Sequence, residues 1–392
     1  MKVLVSGASI AGPAVAYWLQ RYGFDVTVVE RAAQLRGGGY PIDIRGTALD
    51  VVERMGIGPQ LRAAHVNTRA ITFVEPDGAV IARLQPEVIA GGGAGRDLEV
   101  PRGDLARVLY DVTRDRVRYR FSDSISTMTE DADGIDVRFA RGGRQRFDLV
   151  VAADGLHSTT RGLVFGPEEP FHRYLGYAFA GFTVRRDFGL DHEAALWSTP
   201  GRGAALYAVG QQGTVHGFLN LALPQAPFHA FRDPAAQREL VASAFEGDGW
   251  YVPELVEAMR TSDDLFFDVV SQIRMPRWSA GRLVLVGDAG YAPSFLTGQG
   301  SSLALVGAYL LAGELAATGD HRTAFERYEK LARSFVEQNQ DLVTAGQATM
   351  FPSTAEALAE RDVMLRRLTA LPAEEEPAHS ALTLPDYSVF DR

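Results

Sequence analysis

The chain has 392 residues, and this length predicts two domains or three small ones. Hydrophobic residues make up 46% and charged residues 22% of the sequence, which is typical of a folded globular protein. The absence of cysteine excludes a disulfide framework, an iron–sulfur cluster and a cysteine nucleophile, and no metal site is expected. The formal net charge of −10 argues against nucleic acid as a partner, because phosphate binding needs an excess of basic residues.

Neither a signal peptide nor a membrane span is predicted. The N-terminal residues lack a long apolar stretch before a small-residue cleavage site. The most apolar stretch elsewhere, residues 303–317, contains Glu314 and is shorter than the roughly 20 residues that cross a bilayer. We therefore expect a cytoplasmic protein.

The first residues have the pattern of a βαβ unit. A short apolar run, Lys2–Ser6, is followed by a glycine-containing segment at 7–12. Apolar residues then recur at helical spacing until Gly23, and a second apolar run at 25–30 ends in an acidic residue. The change from an extended to a helical period predicts a strand, a tight turn, a helix and a second parallel strand.

This unit matches the fingerprint of dinucleotide binding. Gly7 allows the tight turn, and Gly12 lets the helix pack closely against the strand. The helix that begins near Ile10 and Ala11 would direct its N terminus at a pyrophosphate. Glu30 would accept hydrogen bonds from the adenosine ribose, which suits NAD or FAD and disfavours a 2′-phosphate. A βαβ unit that binds no nucleotide is the alternative.

Two later apolar runs favour a flavin. They end at Asp154 and at Asp288, and the second is followed by Pro293 and by Gly298 and Gly300 at the start of an apolar helix. Ligands bind α/β sheets at the carboxyl ends of parallel strands. A glycine-rich helix start supplies exposed N–H groups for an electron-rich ring edge.

Arg102 stands immediately before another amphipathic helix. Its planar guanidinium could bind a cofactor phosphate or a ribityl oxygen at two points, which lysine could not do. A surface arginine near a helix start is the alternative interpretation.

Together these motifs resemble those of the class A flavoprotein monooxygenases, the group of p-hydroxybenzoate hydroxylase. The most similar subgroup is that of the small single-chain monooxygenases that inactivate tetracycline or hydroxylate polyketides. The resemblance runs from residue 1 to about residue 318 and rests on the order and spacing of four motifs. These are Gly7 to Gly12 with Glu30, then Arg102, then Asp154-Gly155, and then Gly287-Asp288 with Pro293, Gly298 and Gly300.

The resemblance implies a bound FAD. It places Glu30 and Arg31 at the adenosine end, Arg102 at the middle of the cofactor and Asp288 at the ribityl chain. Asp154 would lie near the pyrophosphate and contribute to NAD(P)H use. The residues implied around the isoalloxazine are Pro293, Gly298 and Gly300, with Arg36 and Asp43 approaching from the opposite side.

The implied reaction is the hydroxylation of an aromatic or polyketide- or antibiotic-like small molecule with NADPH or NADH and O2, through a flavin C4a-hydroperoxide. No second Rossmann motif is present, so the nicotinamide would bind transiently. Other interpretations remain open: Baeyer–Villiger oxygen insertion or a flavin-dependent reductase on the same scaffold, a nicotinamide dehydrogenase without flavin, and a flavin-carrying protein that sequesters its ligand.

The sequence departs from the family pattern at two places. Ser9 stands where the second glycine of the fingerprint is usual, and its hydroxyl could donate to a phosphate. Gly290 and Tyr291 replace the histidine that often follows Gly-Asp-Ala, so no role of that histidine can be transferred.

The expected fold is α/β, with a discontinuous Rossmann-like FAD-binding domain, an antiparallel-sheet substrate domain and a C-terminal helical segment. Alternating apolar runs separated by turns indicate the hairpins of the second domain. The predicted FAD-binding domain comprises residues 1–70, 98–169 and 280–319, the substrate domain residues 71–97 and 170–279, and the C-terminal helix and tail residues 320–392.

The substrate pocket is the least determined part of the sequence. His216 shares one strand face with Phe218 and Asn220, and either face of that strand could meet the ligand. His216 is the one catalytic candidate, although most histidines in such positions are structural. The many aromatic residues of this half would stack well on a flat aromatic substrate. We expect a monomer or a homodimer.

Overall fold

The computed structural model describes residues 1–392 except 36, 38–39, 87, 89–96, 210–213, 228–232 and 369–376. The strands are β1 (Lys2–Ser6), β2 (Asp25–Val29), β3 (Pro41–Ile44), β4 (Ala70–Val74), β5 (Val80–Leu84), β6 (Leu98–Pro101), β7 (Arg118–Arg120), β8 (Ile125–Glu130), β9 (Ile135–Phe139), β10 (Arg144–Phe147), β11 (Leu149–Ala152), β12 (His172–Val184), β13 (Glu193–Thr199), β14 (Arg202–Val209), β15 (Thr214–Ala222), β16 (Phe266–Ile273), β17 (Ser279–Ala280) and β18 (Leu283–Leu285).

The helices are α1 (Ala11–Arg21), α2 (Thr47–Met55), α3 (Gly58–Ala63), α4 (Arg102–Asp111), α5 (Thr159–Phe165), α6 (Pro234–Ala244), α7 (Val252–Thr261), α8 (Asp288–Tyr291), α9 (Gly300–Thr318), α10 (His321–Asp341), α11 (Val343–Met350) and α12 (Ala355–Arg367). Short 3-10 turns occur at Phe295–Thr297, Ala378–Ser380 and Ser388–Phe390.

A mostly parallel sheet carries the N-terminal unit. Its strand order is β17-β18-β11-β1-β2-β7, and every pair is parallel except the edge pair β17–β18. Val3, Leu4 and Val5 of the central strand β1 are fully buried. Strands that are covered on both faces form such continuous apolar runs. The predicted Rossmann-like βαβ unit is therefore confirmed, with β1, α1 and β2 in that order.

Two smaller sheets flank this core. Strands β8, β9 and β10 form an antiparallel sheet, and β3 pairs antiparallel with β6. In the two-stranded ribbon β3–β6, Asp43 lies directly opposite Glu99. Residues opposite each other in an antiparallel pair project on the same face, so both carboxylates belong to one side of the ribbon.

A seven-stranded sheet forms the second half of the molecule, in the order β16-β12-β15-β14-β13-β4-β5. Its pairs are antiparallel, as predicted, except that β4 runs parallel to β13. Helices α6 and α7 cover one face, where Val241, Leu255 and Met259 are buried. The other face turns toward the parallel-sheet half, because Phe218 contacts Tyr40 at a centroid distance of 5.7 Å.

The C-terminal segment is helical, as expected, and then returns to the first half. Helix α10 buries Phe325, Tyr328 and Phe335. The tail is fixed to α9 because the Tyr387 hydroxyl donates to Glu314 Oε1 at 2.6 Å. Among the described helices, α9 alone is long and apolar enough to cross a membrane, but 83% of its apolar window is buried inside the protein. It is a core helix.

Candidate cofactor and ligand site

The turn after β1 is built from glycines that no other residue could replace without a shift of the backbone. Gly7 has φ +105°, and a Cβ atom there would clash with the Ala153 carbonyl and lie 2.9 Å from Cα of Asp154. A Cβ atom on Gly12 would clash with the Gly7 carbonyl oxygen. The turn and the start of α1 therefore pack directly against the carboxyl end of β11.

The acidic residue after β2 is bound to this turn. Glu30 Oε2 accepts a hydrogen bond from the Ala8 N–H at 2.8 Å, and Oε1 accepts one from the Ala32 N–H at 2.8 Å. Ile10 immediately precedes α1, and Ala11 is its first residue. The Glu30 carboxylate is thus bonded to the turn that leads into the start of α1.

Arg102 and Ser9 meet although 93 residues separate them. Arg102 is the first residue of α4, and its Nη2 donates to Ser9 Oγ at 3.0 Å. The substitution of serine for the usual glycine therefore gives the guanidinium an anchor next to the turn. Arg31 is exposed immediately after Glu30, and Arg36 lies outside the described residues.

Asp288 lies in a cleft at the start of α8. Its side chain is accessible to solvent, yet the surrounding protein raises the pKa of its carboxyl group because burial disfavours the charge. The Arg102 guanidinium opposes this shift and Asp268 adds to it. A Cβ atom on Gly287 would lie 3.0 Å from the Ala11 side chain, so this motif also reaches the first turn.

The glycine-rich start of α9 lies against Asp43. A Cβ atom on Gly298 would be 2.9 Å from Asp43 Oδ2, and one on Gly300 would be 3.7 Å from Asp288 Oδ1. Asp43 also forms an ion pair of 2.9 Å with Arg45. Four separated stretches of the chain thus converge on one cleft.

Asp154 has a local structural role at this place. Its carboxylate accepts hydrogen bonds from the Thr160 N–H at 3.0 Å and the Thr160 hydroxyl at 2.8 Å, and also from the Ser158 hydroxyl. It therefore holds the start of α5 near the turn of Gly7. Its predicted part in NAD(P)H use stays a prediction.

A charged cluster links this region to the seven-stranded sheet. His157 contacts Glu168 Oε1 at 2.7 Å through Nδ1 and Asp268 Oδ1 at 3.0 Å through Nε2. These two carboxylates, Asp268 first, raise the pKa of His157 to about 10. Arg161 is fully buried and pairs with Glu168 as well. His157 is therefore a cation at neutral pH.

An aromatic cluster joins the seven-stranded sheet to the turn that precedes Gly298. The Phe179 ring lies 4.5 Å from the Phe295 ring, which lies 5.9 Å from Phe351, and Phe351 stacks at 5.0 Å on Tyr177. Phe295 keeps 37% of its surface exposed, whereas the other three rings are buried. These four residues are here called the aromatic wall.

A polar row crosses the same sheet face. His216 lies opposite Tyr207 on β14 and opposite Thr183 on β12. His216 is buried, and this burial lowers its pKa, while Asp264 opposes the shift. The predicted candidate is therefore a neutral imidazole on the face that carries Phe218.

The sequence did not indicate the hydrogen-bond network around Glu99, which lies next to Tyr207 at the end of this polar row. The Tyr207 hydroxyl donates to Glu99 Oε1, and the Thr68 hydroxyl donates to Glu99 Oε2 at 2.7 Å. Burial, and then the Asp43 charge, raise the pKa of Glu99. Glu99 thus joins the ribbon that carries Asp43 to the sheet that carries His216.

The residues of the cleft fit an FAD. The tight turn of Gly7 and Gly12 leads into the start of α1, which offers N–H groups for a pyrophosphate, and the carboxylates of Glu30 and Asp288 can accept hydrogen bonds from sugar hydroxyls. Gly298 and Gly300 lie beside Asp43 and Asp288, whereas Pro293 is buried just before them along the chain. Which of these residues touch the cofactor stays a prediction.

Comparisons with known proteins agree on one family. A family model described as an FAD binding domain matches residues 1–343. An uncharacterized protein of Mycobacterium tuberculosis is 44% identical over 348 residues, which are 87% of this chain and 92% of that protein. A flavin-dependent monooxygenase of an unknown prokaryotic organism is 36% identical over 389 residues, which are 98% of this chain and 99% of the relative. The crystal structure of the tetracycline destructase Tet(55) is 35% identical, with a TM-score of 0.85 and 98% of both chains covered.

Proposed function

Because this chain belongs to the FAD-binding family of flavin-dependent monooxygenases, we propose that its substrate is a flat aromatic small molecule of the polyketide or tetracycline type. The predicted family, the FAD cofactor and the monooxygenase reaction are confirmed by the family model and the relative. The observation that carries the substrate proposal is the aromatic wall, in which Phe295 stays partly exposed on the turn that leads to Gly298.

Bound FAD supplies the redox chemistry, taking electrons from NADPH or NADH and activating O2. We propose that Glu30 holds the adenosine ribose, that Arg102 binds the middle of the cofactor, and that Asp288 accepts hydrogen bonds from the ribityl chain. The Arg102–Ser9 bond keeps the guanidinium in place for this contact. Asp43 approaches from the side of Gly298.

The chain itself supplies orientation and a water-poor surface for the substrate. The partly exposed Phe295 ring offers a surface on which a fused aromatic ligand can stack, and the buried rings of Phe179 and Phe351 support it from behind. His216 and Tyr207 provide neutral hydrogen-bonding groups on the same sheet face. We propose that they orient the ligand's hydroxyl and carbonyl groups, and that no amino-acid nucleophile takes part.

Similarity to a tetracycline destructase supports this substrate class. We further propose a cytoplasmic monomer or homodimer without a nucleic-acid partner. The net charge of −10 supports the last point, and the buried position of α9 supports the absence of a membrane span.

The test is NADPH oxidation by the FAD-loaded protein with tetracycline and a panel of hydroxylated anthraquinones, under 18O2. We expect that at least one compound accelerates NADPH oxidation and that its product carries one 18O atom. Phe295→Leu should raise the KM for that compound about tenfold, because it removes an aromatic stacking partner.

The matched control is Tyr251→Leu. Tyr251 also exposes 37% of its surface, but it lies beside α7, away from the aromatic wall, so the KM should not change. Conversion of the ligand without O2 would instead identify a reductase. Binding without accelerated NADPH oxidation would identify a sequestering protein. Either result would refute the proposal, and the product structure would separate hydroxylation from oxygen insertion beside a ketone.

A further inference from the structure

Two buried glutamines join three parts of the molecule beside the cleft. Gln272 on β16 and Gln340 on α10 are 0% and 2% exposed. Gln272 Nε2 donates to the Pro293 carbonyl at 3.0 Å and to the Gln340 carbonyl at 2.7 Å. Gln340 Nε2 donates to the carbonyls of Ile273 at 2.9 Å and Ala292 at 3.2 Å. These two residues are here called the amide pair.

The side-chain N–H donors of the amide pair are all used at this junction. Gln272 Oε1 accepts a hydrogen bond from Arg274 Nε at 3.1 Å, and Arg274 in turn pairs with Asp341 at 2.9 Å. Both donors of each amide therefore go to main-chain carbonyls, and two of those carbonyls belong to consecutive residues, 292 and 293. A buried side chain that only filled space would need no polar atoms.

The segment held by the amide pair has an unfavourable backbone conformation. Ser294 has φ 79° and ψ 147°, which borders a region that is almost restricted to glycine. Its own side chain gives little compensation, because within the described part of the chain Ser294 Oγ accepts only a long bond of 3.4 Å from the Leu296 N–H. Such a conformation persists when the surroundings fix it. The Pro293 carbonyl is part of the peptide that enters Ser294, and Gln272 fixes that carbonyl.

The strained residue sets the direction of the chain beyond it. Phe295 comes next and lies 4.5 Å from Phe179 in the aromatic wall, and the turn then continues to Gly298 beside Asp43. Rotation of the peptide between residues 293 and 294 would therefore move both the wall and the glycine-rich start of α9.

We propose that Gln272 and Gln340 are positioning residues, which hold the peptide between Pro293 and Ser294 so that Phe295 faces the ligand and Gly298 faces the cofactor. Both glutamines are buried and act through the main chain that they hold. The proposal rests on the proposed function only where it takes the aromatic wall as the ligand surface. The part of the proposal that concerns Gly298 and the cofactor requires only that the protein binds FAD.

The amide is specifically suited to this role. Methionine has a similar length but would leave the buried Pro293 and Gln340 carbonyls without donors. Glutamate would place a carboxylate against the same carbonyls. Gln272→Met is therefore the informative change, since it keeps the volume and removes both donated bonds.

The experiment compares FAD dissociation constants, measured by flavin fluorescence, with visible absorption spectra of the FAD-loaded proteins. The matched control is Asn339→Leu. Asn339 is also fully buried, and its amide donates to the carbonyls of Phe335 at 2.8 Å and Ala378 at 3.0 Å, neither of which belongs to the segment of residues 292–294. Both variants lose two amide-to-carbonyl bonds, so both should be destabilised.

We expect Gln272→Met to raise the FAD dissociation constant about tenfold and to shift the flavin absorption band, whereas Asn339→Leu should change the constant by less than about twofold. Addition of Ser294→Gly should recover part of the affinity of Gln272→Met, because glycine adopts this backbone without strain. Equal FAD affinity in Gln272→Met and Asn339→Leu would overturn the proposal.

A second variant keeps the proposal testable if Gln272→Met folds poorly. Gln340→Met removes the bond to Ala292 from the other side and should weaken FAD binding in the same direction, and unchanged binding in a folded Gln340→Met protein would also overturn the proposal. Failure of every compound to accelerate NADPH oxidation would refute the proposed substrate class but would leave these FAD measurements valid. The two failures are therefore distinguishable.

Discussion

Asp288→Ala should separate cofactor binding from folding. Asp288 lies in the cleft, where the protein surroundings raise the pKa of its carboxyl group, mainly by burial, with a further contribution from Asp268. A raised carboxyl pKa means that the charged form is disfavoured in the folded state, so the charge costs stability once the pH exceeds the pKa of the unfolded chain. Removal of the carboxylate should therefore leave the unfolding free energy of the FAD-free protein at pH 7 unchanged or higher.

FAD binding should change in the opposite direction. A hydrogen bond to a charged group contributes about 1.5–3 kcal/mol, which corresponds to a loss of FAD affinity of about 10- to 150-fold. The assays are urea unfolding of the FAD-free protein and fluorescence titration with FAD. Asp50→Ala, in the first turn of α2, is the matched control and should bind FAD normally. Normal FAD affinity in Asp288→Ala, or a large loss of stability, would refute this reasoning.

Two further changes test the local geometry. Gly12→Ala should lower the unfolding free energy by about 1–3 kcal/mol, because the added Cβ clashes with the Gly7 carbonyl. Gly162→Ala, in a helix with nothing within 4 Å of the added atom, should instead be neutral or stabilising, and equal urea midpoints for the two would contradict the clash. His157→Gln should lower stability near pH 6, by about 1 kcal/mol because solvent screens the half-exposed imidazole. Since its pKa rises from 6.5 to about 10, this contribution is complete below pH 6.5 and disappears as the pH reaches 10. A stability difference that is the same at pH 6 and pH 10 would exclude this titration.

Local sequence patterns were sufficient to predict how the residues of the first cofactor motif come together. Gly7, Gly12 and Glu30 lie within one strand–turn–helix–strand unit, so their spacing alone predicts how they come together. Ser9 is a useful example, because its departure from the glycine pattern is visible in the sequence, while its bond to Arg102 is visible only in the structure.

The contacts that the sequence did not predict join residues that are distant along the chain. Gln272 bonds to a residue 68 positions away, and Tyr207 bonds to Glu99 across 108 positions. Isolated polar residues in apolar strands have no periodic signal that identifies such partners. The parallel pairing of β4 with β13 was missed for a similar reason, since hairpin signals indicate only the pairing of neighbouring strands.

The most direct test of the account is a crystal structure of the FAD-loaded chain. We predict a single FAD whose ribose hydroxyls bond to Glu30, whose ribityl chain bonds to Asp288, and whose isoalloxazine lies between Gly298 and the aromatic wall. An FAD bound elsewhere, or one that leaves both carboxylates beyond hydrogen-bond distance, would contradict the central claim.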